Sequence, residues 1–149
     1  MGNKTSKRLR FGLTAGLVVA VVAACGRGSS EEDGERAEVA AGSYPRIAPE
    51  RLAGLMDADP DLTVVNVHIP CAGEIPGTDA FVPFTAMETF EGQTGVAPDS
   101  PVVVYCRSGN MSAQAAEVLV ELGYTNVLDL RGGMVAWEDA GYTLTKLGS

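Results

Sequence analysis

The spacing of apolar and polar positions changes several times along the chain, and each change marks an element. A mainly apolar stretch runs from Phe11 to Ala24, and residues 26–43 that follow are rich in Gly, Ser and Ala and contain no aromatic residue. From Tyr44 onward strand-like and helix-like patterns alternate. Ala48 to Met56 sets Leu52, Leu55 and Met56 on one face, with Pro49 and Glu50 where a first helical turn favours them, and predicts a short helix. Leu62 to Val67 and Pro101 to Tyr105 are β-branched runs bounded by turn residues, the pattern of strands buried on both faces of a parallel sheet. The Gly- and Pro-dense region between them predicts irregular structure. Ser112 to Leu122 has Ala115, Ala116, Leu119 and Leu122 at helical spacing and stops at Gly123, as a helix C-terminus does. Asn126 to Leu130 then reads as a strand and Met134 to Ala140 as a last short helix. This order predicts one α/β domain over residues 44–149, with a central, mainly parallel sheet flanked by helices.

At 149 residues the chain has room for one such domain and its attachments, and one domain rather than two is the expectation. The apolar stretch follows a leader holding Lys4, Lys7, Arg8 and Arg10 and no acid. It is shorter than the roughly 20 residues a membrane span needs, and residues 1–24 have the layout of a signal peptide. Val22-Ala23-Ala24-Cys25 resembles the bacterial lipobox, in which the cysteine is diacylated and becomes the first mature residue. That resemblance implies an exported protein anchored to the cell membrane through Cys25, its domain on the extracytoplasmic side, because two acyl chains hold stably where one is marginal. Residues 25–43, with Glu31-Glu32-Asp33-Gly34-Glu35, read as an acidic flexible tether spanning about 20 to 25 Å. Four of the eleven basic residues and none of the nineteen acids lie in residues 1–24, so cleavage would take the net charge from −8 to −12. A surface of that sign argues against nucleic acid as a partner.

Candidate chemistry is concentrated in Tyr105-Cys106-Arg107-Ser108-Gly109-Asn110-Met111-Ser112. Here a buried strand delivers a cysteine to a Gly-containing loop that opens into a helix. Backbone N–H groups gathered at a helix N-terminus stabilise an anion, and Arg107 adds a full positive charge. Both favour the thiolate, the nucleophilic form of a cysteine. A cysteine after a strand also fits a small buried hydrophobe, and the loop context decides for the nucleophile.

Four segments together resemble the rhodanese family of sulfurtransferases, from Tyr44 to Leu144. The Cys106 loop is similar to its active-site loop, and Val65-Asn66-Val67-His68 stands where the family has a strand ending in Asp-Val-Arg. Ile75-Pro76-Gly77-Thr78-Asp79-Ala80-Phe81-Val82-Pro83 resembles its Ile-Pro-Gly-Ala segment. Gly132-Gly133-Met134-Val135-Ala136-Trp137 with Gly141-Tyr142 resembles its C-terminal signature. The resemblance implies a single-domain, cofactor-free sulfurtransferase working by a ping-pong reaction. Cys106 would take the outer sulfur of an anionic donor such as thiosulfate as a persulfide and pass it to a thiol or cyanide. The loop from Arg107 through Ser108, Gly109, Asn110 and Met111 to Ser112 would bind the substrate, with Arg107 steering the anion. Ser112 also fits a plain helix N-cap, and Trp137 fits core packing.

Departures from the family pattern narrow this reading. Asn66 and His68 replace an acid and an arginine, so the family's usual charge pair cannot form, and His68, the only histidine, takes a structural role more readily than a catalytic one. Cys71 lies in the loop after the predicted strand Leu62 to Val67, where it can be an accessory thiol. It either pairs with Cys106 as a disulfide or stays unpaired and partly buried. A phosphatase of related fold needs an arginine six positions after the cysteine, and that position is Ser112. One histidine and scattered cysteines provide no metal-ligand spacing. A reading of another class remains beside the enzyme: a persulfide carrier or docking module at the cell surface that does not turn over.

Overall fold

The computed structural model describes residues 35–39 and 42–145, and the predicted signal peptide, the predicted lipid-attachment site Cys25 and the tether up to residue 34 lie outside them. Within that span strands β1 (Glu35–Val39), β2 (Gly42–Ile47), β3 (Thr63–Asn66), β4 (Ala80–Phe81), β5 (Val102–Tyr105) and β6 (Val127–Leu130) form one sheet in the order β1-β2-β6-β5-β3-β4. The five strands from β2 to β4 are parallel, and β1 pairs antiparallel with β2 at the edge. The α/β reading with a mainly parallel sheet is therefore correct. Helices α1 (Pro49–Ala58), α2 (Phe90–Thr94), α3 (Asn110–Glu121) and α4 (Gly133–Asp139) make the covering layers.

The alternation of side chains along β5 divides the core in two. Val102 and Val104 face one way with Ala115, Ala116 and Leu119 of α3, Phe90 of α2 and Met87 of the 3₁₀ turn Phe84–Thr89. Val103 and Tyr105 face the other way, toward Leu52 of α1 and Met134 and Trp137 of α4. All four β5 residues are buried, which is why the sequence shows a continuous apolar run there. Trp137 lies in this second core, stacked on Tyr142 at 4.3 Å between ring centroids, as its packing role requires.

Two parts of the chain differ from the sequence reading. Residues 35–39, placed in the tether by their composition, form β1, with Glu35 opposite Arg46 and Val39 opposite Gly42. An edge strand needs only backbone groups to pair with the open side of β2, so apolar alternation is not required of it. The region between β3 and β5 is less irregular than its Gly and Pro content suggests. Asp79 accepts a hydrogen bond from Val64 N–H at 2.8 Å and starts the short β4 beside β3. The 3₁₀ turn and α2 follow, and α2 stops at Gly95, whose φ of 70° is the left-handed conformation of a helix C-terminus.

Candidate active site

Strand β5 ends at Tyr105, and its hydroxyl fixes the neighbouring Ile75–Thr78 segment by accepting from Ile75 N–H at 3.0 Å and bonding Thr78 Oγ1 at 2.6 Å. The next residue is Cys106, and α3 begins four positions later. Its N-cap is Gly109, with φ of 96°, so Ser112 lies inside the first turn and is not the cap. Gly109 N–H donates to Cys106 Sγ at 3.1 Å, and the fully buried Ser112 hydroxyl donates to it at 3.6 Å. Cys106 is 1% exposed, yet two donors at the mouth of a helix meet its sulfur, which a purely aliphatic niche does not provide. Arg107, Ser108 and Asn110 are exposed on the loop above it, and Met111 is half-buried.

The loop is held from behind by α4. Met134 N–H donates to Cys106 O at 2.9 Å and Val135 N–H to Arg107 O at 3.0 Å. These bonds occupy the loop carbonyls, which would otherwise repel an anion. Gly133 makes the approach possible, since a Cβ there would stand 2.2 Å from Cys106 O.

The loop after β3 borders the site because β3 and β5 are neighbours, with Asn66 opposite Tyr105. Asn66 is fully buried, donates from Nδ2 to Gly73 O at 3.0 Å and accepts His68 N–H at Oδ1, also at 3.0 Å. A neutral amide thus closes this loop in place of a charge pair. Cys71 and Cys106 are both free thiols, and Cys71 is exposed, its Sγ 3.8 Å from Asn66 Nδ2. The disulfide is not formed, and Cys71 is more open than the partly buried position expected of it.

His68 is half-buried, and its Nδ1 is buried with no hydrogen-bond partner among the described residues. Desolvation, and then the Arg107 guanidinium, hold its imidazole below the ordinary 6.5. The unfolded chain therefore binds a proton more readily than the folded one below that pH. Stability contributed by a neutral His68 is present above pH 6.5 and is lost as pH falls through the lowered value. Urea unfolding at about pH 5 and about pH 7.5 is expected to show this loss, and His68→Gln is expected to reduce it.

Two residues beside the site, Arg46 on β2 and Asp129 on β6, were not singled out by their spacing. They pair in register, and Arg46 Nε bonds Asp129 Oδ2 at 2.9 Å. The available signal was an acid inside a strand predicted to be buried, since such a charge needs a partner. Among the described residues no three His, Cys, Asp or Glu side chains gather as metal ligands. Cavities of about 740 Å³ beside α1 and β2 and about 520 Å³ near Tyr44 and Tyr124 include no residue of the Cys106 loop in their linings.

Comparison with known proteins agrees with this geometry. Residues 21–140 match the family model of the rhodanese-like domain. The thiosulfate sulfurtransferase GlpE of Pseudoalteromonas translucida is 29% identical over 106 residues, covering 66% of this chain and 92% of its own. The "Probable adenylyltransferase/sulfurtransferase MoeZ" of Mycobacterium tuberculosis is 30% identical over 105 residues, covering 69% of this chain but 26% of its own length. The chain thus spans about a quarter of that larger relative. Among solved structures, a rhodanese-related protein of Thermoplasma volcanium aligns with a TM-score of 0.55 and 29% identity, covering 68% of this chain and 98% of that one.

Proposed function

The chain belongs to the rhodanese-like domain family, and on that premise we propose that it moves a sulfane sulfur through a persulfide on Cys106. The donor is a small anion such as thiosulfate, and the acceptor is a thiol or cyanide. In the first half-reaction the Cys106 thiolate attacks the terminal sulfur of thiosulfate. The Sγ–S bond forms, the bond to the sulfonate sulfur breaks, and sulfite leaves with the electron pair. In the second, the acceptor takes the outer sulfur and Sγ departs as thiolate. The supporting observation is the pair of donors on Sγ, Gly109 N–H and the Ser112 hydroxyl, at the start of α3. The loop from Arg107 to Ser112 binds the donor, with exposed Arg107 attracting the anion to an otherwise acidic protein. Because Cys106 is 1% exposed, a donor that presents a terminal atom suits it better than one that must offer a bulky centre.

The same proposal puts this domain on the extracytoplasmic side of the cell membrane, held by a lipid anchor, and its support is the basic leader and the resemblance of Val22-Ala23-Ala24-Cys25 to a lipobox. Among the described residues no helix is long and apolar enough to cross a membrane.

Turnover distinguishes the enzyme from a carrier. Given thiosulfate and cyanide, the purified protein is expected to form many equivalents of thiocyanate per Cys106. A yield that stops at one equivalent would overturn catalysis and leave the carrier.

A further inference from the structure

Asp129 is fully buried, and only one of its oxygens is spoken for. Oδ2 accepts from Arg46, while Oδ1 has no donor among the described residues. Burial pushes the carboxyl up, and the neighbouring Ser112 hydroxyl and the Arg46 guanidinium oppose that shift by favouring the ionised form. Yet the Ser112 hydroxyl is directed at Cys106 Sγ, 3.6 Å away. Arg46 also reaches the loop, since a Cβ on Gly109 would lie 3.1 Å from its Nη2. A fully buried hydroxyl thus stands between a sulfur and a carboxylate, and it has one hydrogen to give.

Hydrogen bonds to ionised acceptors are the stronger ones, so the location of negative charge decides which acceptor wins. With Sγ as thiolate, the hydrogen belongs to the sulfur. In a persulfide the charge moves to the outer sulfur, Sγ becomes a neutral divalent sulfur and a weak acceptor, and the carboxylate takes the hydrogen. We infer that Asp129, held by Arg46, is a positioning residue that receives the Ser112 hydroxyl when charge leaves Sγ, and so favours the sulfur-loaded form of Cys106. This rests on the persulfide reading above. The exchange balances as thiolate plus thiosulfate going reversibly to persulfide anion plus sulfite, three negative charges on each side.

The test equilibrates the purified protein with thiosulfate and sulfite at a fixed ratio and reads the loaded-to-unloaded ratio by intact mass. Asp129→Asn keeps the volume and removes the charge, and is expected to lower that ratio about tenfold. In a Ser112→Ala background the same change is expected to have less than about a twofold effect, and Ser112→Thr, which keeps the hydroxyl, to restore it. Because Asp129→Asn leaves Arg46 unpaired, the double variant Asp129→Asn/Arg46→Gln, which removes both charges, is measured beside it. The same lowered ratio is expected. Equal shifts with and without the Ser112 hydroxyl would show a general structural effect and overturn the inference. So would a wild-type protein that loads normally and an Asp129→Asn variant with an unchanged ratio, with sulfur transfer through Cys106 left standing. A wild-type protein that takes up no sulfur would overturn both.

Discussion

Cys106→Ser is expected to reduce thiocyanate formation from thiosulfate and cyanide to the uncatalysed background. A serine hydroxyl stays protonated near neutral pH and forms no persulfide, so the covalent intermediate is lost and not merely slowed. The fold should survive, because the shorter side chain still offers an acceptor where Gly109 N–H and Ser112 now meet the sulfur. An unfolding free energy in urea within about 1 kcal/mol of wild type would confirm that the loss is chemical. The sequence contains two other cysteines, Cys25 and Cys71, and transfer that persists in the variant would move the reaction to one of them.

Gly133→Ala is expected to have the next largest effect, this time on both stability and activity. The φ of 58° at Gly133 lies in the left-handed region, where a Cβ costs about 1 to 2 kcal/mol, so conformational strain is one part of the effect. The larger part is space, since the new methyl would meet Cys106 O at 2.2 Å and Arg107 backbone atoms at 2.8 and 2.9 Å. None of these atoms is the end of a flexible side chain, so α4 and the loop must separate. The hydrogen bonds from Met134 and Val135 N–H to the loop carbonyls then stretch or break. A loss of about 2 to 4 kcal/mol of stability is expected, together with a large fall in transfer rate as the loop carbonyls turn free. Thermal unfolding and steady-state rates on the same preparation check both, and a variant as stable and as active as wild type would refute the clamp.

The parts of the molecule that were legible in the sequence are those whose signal is local. The valine runs of β3 and β5 announce strands buried on both faces, because each valine packs whichever way it points. The segment Tyr105 to Ser112 announces its strand, loop and helix, because neighbours in sequence build the whole nest around Cys106. Gly109, and not Ser112, caps α3, since a left-handed residue ends the loop where no side-chain cap forms.

What was hidden depends on pairing at a distance. Strand β1 is chosen by the open edge of β2 and not by its own composition. Arg46 and Asp129 are 83 positions apart and become neighbours only when β2 pairs with β6. Asn66 looks like a lost charge until its amide is seen closing the 66–73 turn from inside.

The most direct test of the account is the intact mass of the protein after brief exposure to thiosulfate. A gain of one sulfur atom, removed by cyanide and absent from Cys106→Ser, is the predicted result. No gain, or the same gain in the variant, would contradict it.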